Sequence, residues 1–438
     1  MTPSNSECGM RNAECGSRTA LHYEFRTPNS AFRAAWVVPV DRPPIPNAVV
    51  TTRDGRIDRI IAANDVPADG YTDLGRVILM PGLINAHTHL ELTNYHGKIP
   101  PMPFWTWLDR LIALRAAAGP QAEREAVERG AHLSLAAGVT LLGDISRTHQ
   151  AWPVLAATEP AKVCFAELLS FAARPARTPE ELTQQVDTTE TSARLIVGVS
   201  PHAPYTVQPA HLRAACELAR QRRLPITMHL AETREEVEFC THGTGVVTEL
   251  LDRFGQTDHI PSPRTTPAVY VRGMFPPEMP LLVAHGNYLD DASIAILAQT
   301  SWSVVFCPRT HRYFGHDPHP FRRLIDAGVN VAVGTDSAAS LPTDDGYAPL
   351  SVLDEIRFLH AEHPDVPAAT LLDMITRNAA RALSMADVAG SITPGKWADL
   401  IAVPIDAQGP DDPIRNILTS NAPPAYTIVQ GRIVAGAA

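Results

Sequence analysis

Two histidines separated by one residue, His87 and His89, end a segment that begins with the apolar run at residues 77–80. That run is typical of a buried strand. Side chains alternate between the two faces of a strand, so both imidazoles are expected to project to the same side. Such a pair can form half of a metal site, although it can also serve only to hydrogen-bond its neighbours.

Three further apolar runs end in side chains that bind metals or carry protons: His229, His285 and Asp336. The imidazoles of His87, His89 and His229 with the carboxylate of Asp336 make a mixed nitrogen and oxygen set. This set suits zinc, with ferrous iron as the alternative. One coordination position would remain for water, whose pKa a divalent ion lowers from about 16 to about 7. The pattern therefore predicts a hydrolytic metal site.

The number of metals follows from what is near the fourth strand. A site with two metals requires another bridging anion, and a carboxylated lysine at a strand end commonly supplies it. The fourth strand instead leads into Ser200, Pro201 and His202, with no lysine nearby. We therefore predict one metal per chain.

Three more side chains are candidates for the chemistry. Glu232, three residues after His229, is expected to carry protons between water and substrate; the alternative is an exposed glutamate at a helix start. His285 can pair with Asp336 and steady the attacking water, or act as a fourth ligand or a buried structural residue. His202 is a candidate substrate contact, with a structural role as the alternative.

The elements that would position these residues are strands and helices in alternation. Eight strand-helix units in about 310 residues predict a (β/α)8 barrel with its active site at the carboxyl ends of the strands. Helical patterns lie between the strands, for example at 104–118 and 124–137. The eight strands are expected at residues 77–81, 139–145, 163–168, 195–200, 226–230, 281–285, 303–307 and 331–334.

Both chain ends are rich in β-type patterns while the middle of the chain is not. We therefore expect residues 19–76 and 389–438 to form a composite β-sandwich around an inserted barrel at 77–388. Residues 1–18 are polar and are expected to be disordered.

Composition excludes several partners. The chain has 438 residues, 45% of them hydrophobic, which suffices for a large core, and a net charge of -10 without basic runs. Nucleic acid and anionic membrane surfaces are therefore poor candidates, and a small-molecule substrate is expected. The absence of a long apolar run or signal-peptide core predicts a cytoplasmic protein. The six scattered cysteines are expected to be reduced thiols. A homodimer is compatible with the sequence.

The segments PGLINAHTHLE, SPHAPYT, MHLAET, VAHGNYL and GTDSAAS together resemble the successive strand-end motifs of the amidohydrolase superfamily. The resemblance is to the branch that holds cytosine, guanine and adenosine-type deaminases and triazine hydrolases, and it extends from about residue 30 almost to the end of the chain. It implies the composite β-sandwich and a mononuclear site with His87, His89, His229 and Asp336 as ligands. It also implies Glu232 and His285 as the proton-transfer pair.

Within this branch, HTHLELT, the helix that contains Trp105 and Trp107, and CPRTHRYFGH are similar to bacterial proteins related to aminodeoxyfutalosine deaminase. This finer resemblance makes Glu91, Trp105, Trp107 and His311 candidate substrate contacts. The tryptophans can alternatively pack the first barrel helix, and His311 can face solvent.

The expected activity is hydrolytic deamination of an aminated heterocycle, most specifically a 5'-modified adenosine such as aminodeoxyfutalosine. The alternatives are deamination of adenosine, S-adenosylhomocysteine, guanine or cytosine, or dechlorination of a triazine. Chloride needs no proton to depart, so Glu232 favours an amine leaving group. A non-enzymatic scaffold would be expected to lose ligands, and none is missing here.

Overall fold

The structure, a computed structural model, describes residues 29–436 apart from 68, 148–150, 171–177, 179, 182–183, 185 and 187–190. The start that we expect to be disordered, residues 1–18, lies outside the described residues. In the described part of the chain, no helix is both long and apolar enough to cross a membrane.

Strands and helices alternate along most of the described chain. The strands are β1 (Ser30–Val37), β2 (Ile45–Arg53), β3 (Arg56–Ala62), β4 (Thr72–Asp73), β5 (Val77–Pro81), β6 (Leu83–Thr88), β7 (Val139–Ser146), β8 (Ala161–Leu168), β9 (Leu195–Pro201), β10 (Thr227–Leu230), β11 (Leu282–His285), β12 (Ser303–Phe306), β13 (Asn330–Val333), β14 (Leu400–Pro404), β15 (Tyr426–Val429) and β16 (Arg432–Gly436). The α-helices are α1 (Phe104–Ala136), α2 (Ala151–Ala156), α3 (Pro209–Arg222), α4 (Arg234–His242), α5 (Val246–Arg253), α6 (Pro267–Arg272), α7 (Asp291–Leu297), α8 (Pro308–Phe314), α9 (Phe321–Asp326), α10 (Val352–Glu362), α11 (Ala368–Met374), α12 (Arg377–Ala382) and α13 (Pro413–Thr419).

The long helix α1 is really two helices joined at a kink. Gly119 has a φ of 76°, a left-handed conformation that interrupts the helix just before Pro120. The sequence predicts two helices at 104–118 and 124–137, so the break falls where the pattern places it.

Strands from both ends of the chain pair in one mixed sheet. Its order is β16-β15-β14-β5-β1-β2-β3, with β4 beside β1. Strand β5 runs parallel to β1 and antiparallel to β14. Residues 77–81, which we expect to be the first barrel strand, therefore belong to the sheet of the chain ends.

The chain passes from this sheet to the parallel strands at Gly82. A Cβ atom at Gly82 would lie only 2.1 Å from Oγ1 of Thr140, so this close approach requires glycine. The strand that pairs with β7 is β6, which starts at the next residue. The apolar run alone does not reveal this division, because both strands are fully buried.

The remaining strands form two parallel sheets of four strands each. Their orders are β6-β7-β8-β9 and β10-β11-β12-β13. Parallel bridges join the sheets at both pairs of edges, between Val199 and Ile226 and between Thr88 and Asp336. The carboxyl ends of the eight parallel strands therefore lie on one side of the molecule.

Both faces of these strands are covered, as is usual for parallel sheets. Every residue of β7 is buried. In β11, Leu282 and Ala284 belong to one apolar cluster, whereas Val283 between them belongs to another. The strands are therefore held from both sides, and the side chains at their carboxyl ends have rigid attachment points.

Gly334→Ala tests the close contact between Gly334, which directly follows β13, and His87 of β6. A Cβ atom there would lie 2.7 Å from the backbone oxygen of His87 and 2.9 Å from its Cβ. Overpacking of this kind should lower the free energy of unfolding by about 1–3 kcal/mol, measured by chemical denaturation. Gly273→Ala is the control, because its nearest neighbour would be 3.3 Å away. Equal effects of the two substitutions would contradict this contact.

Candidate active site

Four candidate metal ligands meet at the carboxyl ends of the parallel strands. His87 lies in β6 with His89 just beyond it, His229 lies in β10, and Asp336 follows β13. Nε2 of His87 and Nε2 of His89 are each 3.6 Å from Oδ1 of Asp336. Nε2 of His229 is 3.3 Å from Nε2 of His89. The structure thus brings together all four residues that the sequence selects.

These distances fit a single metal ion. Ligand atoms about 2.1 Å from a tetrahedral zinc ion lie roughly 3.4 Å from one another. Both ring nitrogens of His87 are buried and have no hydrogen-bond partner among the described residues. A buried polar group without a partner is costly, and a bound cation would satisfy its lone pair.

The protonation states suit metal binding as well. Burial lowers the pKa of His89 to about 3 and lowers the pKa of His229 well below its usual range, with neighbouring imidazoles adding to both effects. These rings are neutral and can donate a lone pair. Burial opposes ionisation of Asp336, but the neighbouring side chains of His87, whose Nε2 is 3.6 Å from Oδ1, and of His285 lower its pKa overall. Asp336 is therefore a carboxylate.

Hydroxyl groups fix the orientation of Asp336. Its Oδ2 accepts a hydrogen bond from Ser340 at 3.2 Å, and Ser340 in turn lies 2.9 Å from the hydroxyl of Ser337 and 3.1 Å from that of Thr310. Its backbone carbonyl accepts from Thr88 at 3.0 Å. Asp336 has a left-handed φ of 53°, so these bonds hold it in an unfavourable conformation. These hydroxyl groups are not among the predicted site residues, although those of Ser337 and Ser340 lie in the GTDSAAS segment.

Glu232 and His285 form a buried pair beside the four ligands. Nε2 of His285 lies 3.5 Å from Oε1 of Glu232. Burial raises the pKa of Glu232 well above its usual range, and the charges of Asp336 and Glu236 raise it further. Burial lowers the pKa of His285 well below its usual range, although Asp336 opposes this. The raised pKa favours the protonated form of Glu232, and the alternative of an exposed glutamate does not apply because this side chain is buried.

The backbone around Glu232 is fixed by a second glutamate. The buried carboxylate of Glu236 accepts hydrogen bonds from the backbone N–H groups of Ala231 at 2.8 Å and Glu232 at 2.9 Å. Ala231 has a left-handed φ of 51°, and the side-chain hydroxyl of Thr233 caps α4 by accepting from the N–H of Glu236. The Thr-x-x-Glu spacing of a helix start is the sequence signal for Glu236.

His202 lies next to the ligands, with Glu167 near it. The ring of His202 is centred 4.8 Å from that of His229, and its Nδ1 is 2.8 Å from Oγ1 of Thr206. Its Nε2 is 4.0 Å from Oε1 of Glu167. Glu167 is not among the predicted site residues. Its position near the end of the apolar run in β8 is the feature of the sequence that could have indicated it.

The candidate substrate contacts in the first βα segment differ in their surroundings. Glu91 is buried, and its two oxygens accept from the hydroxyl of Ser146 at 3.0 Å and from Nη2 of Arg115 at 2.8 Å. Trp107 is buried as well, and its indole N–H donates to the carbonyl of Ala339 at 3.3 Å. Trp105, the third candidate in this segment, differs from Trp107 because its indole N–H has no hydrogen-bond partner among the described residues.

Trp105 lies on the side of the site that holds His202. Its ring is centred 5.6 Å from that of Tyr205, and Tyr205 is centred 6.1 Å from His202. The indole nitrogen of Trp105 is buried without a hydrogen-bond partner among the residues that the structure describes. No contact among the described residues therefore accounts for this donor.

His311 lies further from the ligands, in α8. Its Nε2 is 2.7 Å from the carbonyl oxygen of Asp317, and its ring is centred 5.5 Å from Phe306 and 5.8 Å from His319. His311 thus has contacts within the segment that follows β12, and its role toward substrate stays a prediction.

The chain matches the amidohydrolase family over residues 78–434. It belongs to this family. The chain is accordingly an enzyme of the class that hydrolyses carbon–nitrogen bonds, as the strand-end motifs predict.

Individual proteins also resemble the chain. A 5-methylthioadenosine/S-adenosylhomocysteine deaminase of Moorella thermoacetica is 30% identical over 380 residues, which cover 84% of this chain and 83% of that protein. An adenosine deaminase from Xanthomonas campestris, solved with bound zinc, has a TM-score of 0.75 and 25% identity, with 93% of each chain covered. Helicobacter pylori aminofutalosine deaminase in complex with methylthio-coformycin has a TM-score of 0.81 and 22% identity, with 93% of this chain and 100% of that chain covered.

The number of bound ions tests the ligand assignment. Elemental analysis of purified protein should find about one equivalent of divalent metal per chain, as a shell of three histidines and one aspartate requires. His229→Ala should lose most of this metal because it removes one ligand. His311→Ala should retain it. Two equivalents that are both needed for turnover would contradict the single site.

Proposed function

We propose that this protein is a metal-dependent hydrolytic deaminase of an adenosine-type nucleoside. The observation that carries the proposal is the buried carboxyl group of Glu232, 3.5 Å from Nε2 of His285 and beside the four candidate ligands, where burial raises its pKa well above its usual range. An acid in this position can protonate a ring nitrogen, which prepares the adjacent carbon for attack by water. The names of the curated relatives, which act on adenosine derivatives, support the same reaction class.

The reaction exchanges an amino group for an oxygen. The oxygen of a water molecule bonds to the carbon that carries the amino group, and the bond from that carbon to the amino nitrogen then breaks. The products are a ring carbonyl and ammonia. The protein has to supply a proton to the ring nitrogen, accept one from the water, and pass one to the departing amine.

The side chains can be assigned to these steps. Glu232 donates its proton to the ring nitrogen, then takes the proton that the added hydroxyl group loses as it becomes the carbonyl oxygen, and passes this proton to the departing amine. The proton that Asp336 takes from water afterwards restores the acid form of Glu232. Asp336, an ionised carboxylate, accepts a proton from the attacking water, and His285 orients that water between the two carboxyl groups. A divalent ion, zinc or alternatively ferrous iron, would be held by His87, His89, His229 and Asp336. When bound, it supplies a Lewis acid that lowers the pKa of water.

Glu232→Gln tests the proton transfer. The amide cannot exchange a proton with the ring nitrogen, so kcat should fall by about 100-fold or more. Metal content should stay unchanged, because Glu232 is not among the proposed ligands. Glu249→Gln, an exposed residue of α5, is the control and should leave both quantities unchanged. If Glu232→Gln protein loses its metal, Glu232 is a ligand and the assigned role is wrong.

We further propose that the substrate is an adenosine with a substituent at its 5' position, such as aminodeoxyfutalosine. Methylthioadenosine and S-adenosylhomocysteine, which appear in the names of the relatives, belong to the same chemical class. The indole N–H of Trp105, which has no partner among the described residues, and the partly exposed imidazole of His202 are polar groups on the same side of the candidate site. Such groups can contact a ribose or its substituent, which free bases lack.

The alternative reaction, dechlorination of a triazine, does not need the acid Glu232 to protonate its leaving group. Chloride departs as an anion and needs no proton, whereas an amine must be protonated before it leaves. A buried acid with a raised pKa is therefore more useful to a deaminase. The same protein tested with atrazine should release little chloride.

Side-by-side kinetics test the nucleoside assignment. Aminodeoxyfutalosine, methylthioadenosine and S-adenosylhomocysteine should be deaminated with higher kcat/KM than free adenine, guanine or cytosine, because only the nucleosides use contacts beyond the base. Ammonia release measures each rate. If cytosine or guanine is the better substrate, the nucleoside assignment is wrong while deamination stands.

Two matched tryptophan substitutions refine this test. Trp105→Phe removes an N–H group that has no hydrogen-bond partner among the described residues, so it should lower kcat/KM for the nucleosides and leave thermal stability nearly unchanged. Trp107→Phe removes the bond to Ala339 and should mainly lower stability. The opposite result would show that Trp107 and not Trp105 contacts the substrate.

The architecture around the site completes the proposal. We propose that the two parallel sheets, bridged at both pairs of edges, close into one (β/α)8 barrel within residues 77–388, with β6 as its first strand. The sheet built from both chain ends, which also takes in β5, would be the composite β-sandwich of residues 19–76 and 389–438. The pairing of β5 with β14 supports this combination of the chain ends.

A further inference from the structure

The segment after β12 contains three histidines within a span of nine residues: His311, His316 and His319. They make different contacts. His311 and His316 bond to Asp317 and Tyr288 respectively, which lie outside the proposed machinery. His319, in contrast, has its Nε2 2.8 Å from the backbone carbonyl oxygen of His285. A carbonyl oxygen only accepts hydrogen bonds, so Nε2 of His319 must carry the proton and donate it.

The acceptor of this bond is in an unusual conformation. His285 has a left-handed φ of 69°, and Gly286 after it has a φ of 63°. A residue with a Cβ atom adopts such a φ only when its surroundings hold it there. The left-handed turn decides where the carbonyl and the ring of His285 point. The ring is the group that lies 3.5 Å from Glu232.

The ring of His319 is itself held firmly. It stacks on Phe306, the last residue of β12, with centroids 3.9 Å apart and planes 13° apart. Only 9% of His319 is exposed. Pro320, which precedes α9, follows it directly. The donor is therefore a rigid group attached to two neighbouring elements.

We propose that His319 is a positioning residue for His285. Its Nε2–H bond fixes the left-handed peptide at the end of β11, and this holds the imidazole of His285 against Glu232 in the geometry that the reaction needs. The role assigned to His285 rests on the proposed function, whereas the effect of His319 on the backbone of His285 does not. His319 itself does not touch the reacting atoms.

Three substitutions at His319 test this inference in the metal-loaded enzyme. His319→Gln keeps an N–H donor at a similar reach, His319→Asn keeps a donor on a shorter side chain, and His319→Leu removes it. Misplacement of a catalytic group by about 1 Å can cost on the order of 100-fold in rate. We therefore expect kcat to fall 10- to 100-fold in the Leu and Asn variants, with KM changed less than about threefold, and to recover largely in the Gln variant.

Arg322→Leu is the control, because it removes the exposed ion pair of Arg322 with Asp365, which does not reach His285. It should change kcat little. If Arg322→Leu and His319→Leu lower kcat equally, or if the Gln variant is as slow as the Leu variant, the inference is wrong. Should the Leu variant fail to fold, the comparison of Gln with Asn decides the question in the same way.

Crystal structures of the His319→Asn and His319→Gln variants separate this inference from the proposed function. The inference requires a displaced His285 in the Asn variant and an unchanged one in the Gln variant. An undisplaced His285 in both overturns it. If the wild-type enzyme releases no ammonia from any nucleoside, yet His285 is displaced only in the Asn variant, the proposed function fails and the positioning by His319 stands.

Discussion

The structure depends on one costly arrangement: three imidazoles and a carboxylate held a few ångströms apart inside the protein. Each group gives up its contact with water, and the nitrogen lone pairs of the three rings face one another. Flexible segments would let these groups separate. Here each is attached to the carboxyl end of a buried parallel strand, so the pairing of the strands fixes the distances between ligands.

Burial acts in the same direction on the carboxyl groups of Glu232 and Asp336, but their neighbours act in opposite directions. Both Glu232 and Asp336 are buried, and burial raises the pKa of each. Asp336 has imidazoles and a serine hydroxyl around it, which outweigh burial and keep it ionised. Glu232 has two other carboxylates nearby, so it stays neutral. Opposite neighbours thus shift the pKa values of two similar acids in opposite directions, as the proposed donor and acceptor of protons require.

The positions of the ligands follow from the sequence because they depend on local patterns. His87, His89, His229 and Asp336 are polar residues that end apolar runs, and parallel strands carry such residues to one side of the fold. The break at Gly119 in α1 follows in the same way from glycine and proline chemistry. The carboxyl ends of these buried strands can therefore be predicted without a structure.

The residues that support the candidate ligands are harder to predict from the sequence, because their hydrogen-bond partners come from distant segments. Ser340 is recognised only by its distance to Asp336, and His319 only by its bond to His285. The division between β5 and β6 depends on the contact of Gly82 with Thr140. Trp105 and Trp107 lie two residues apart in one helix. Only tertiary packing shows that the indole N–H of Trp107 donates to Ala339, whereas that of Trp105 has no partner among the described residues.

The place of β5 between β1 and β14 has a consequence for how the chain is made. During synthesis β5 leaves the ribosome early, but one of its two neighbours, β14, is among the last strands to appear. One edge of β5 must stay unpaired while the whole parallel region is synthesised, and an open edge of an apolar strand invites wrong partners. Closing so long a loop is also slow. Completion of this sheet is therefore a late folding event, for which a chaperone that shields β5 would be of most use.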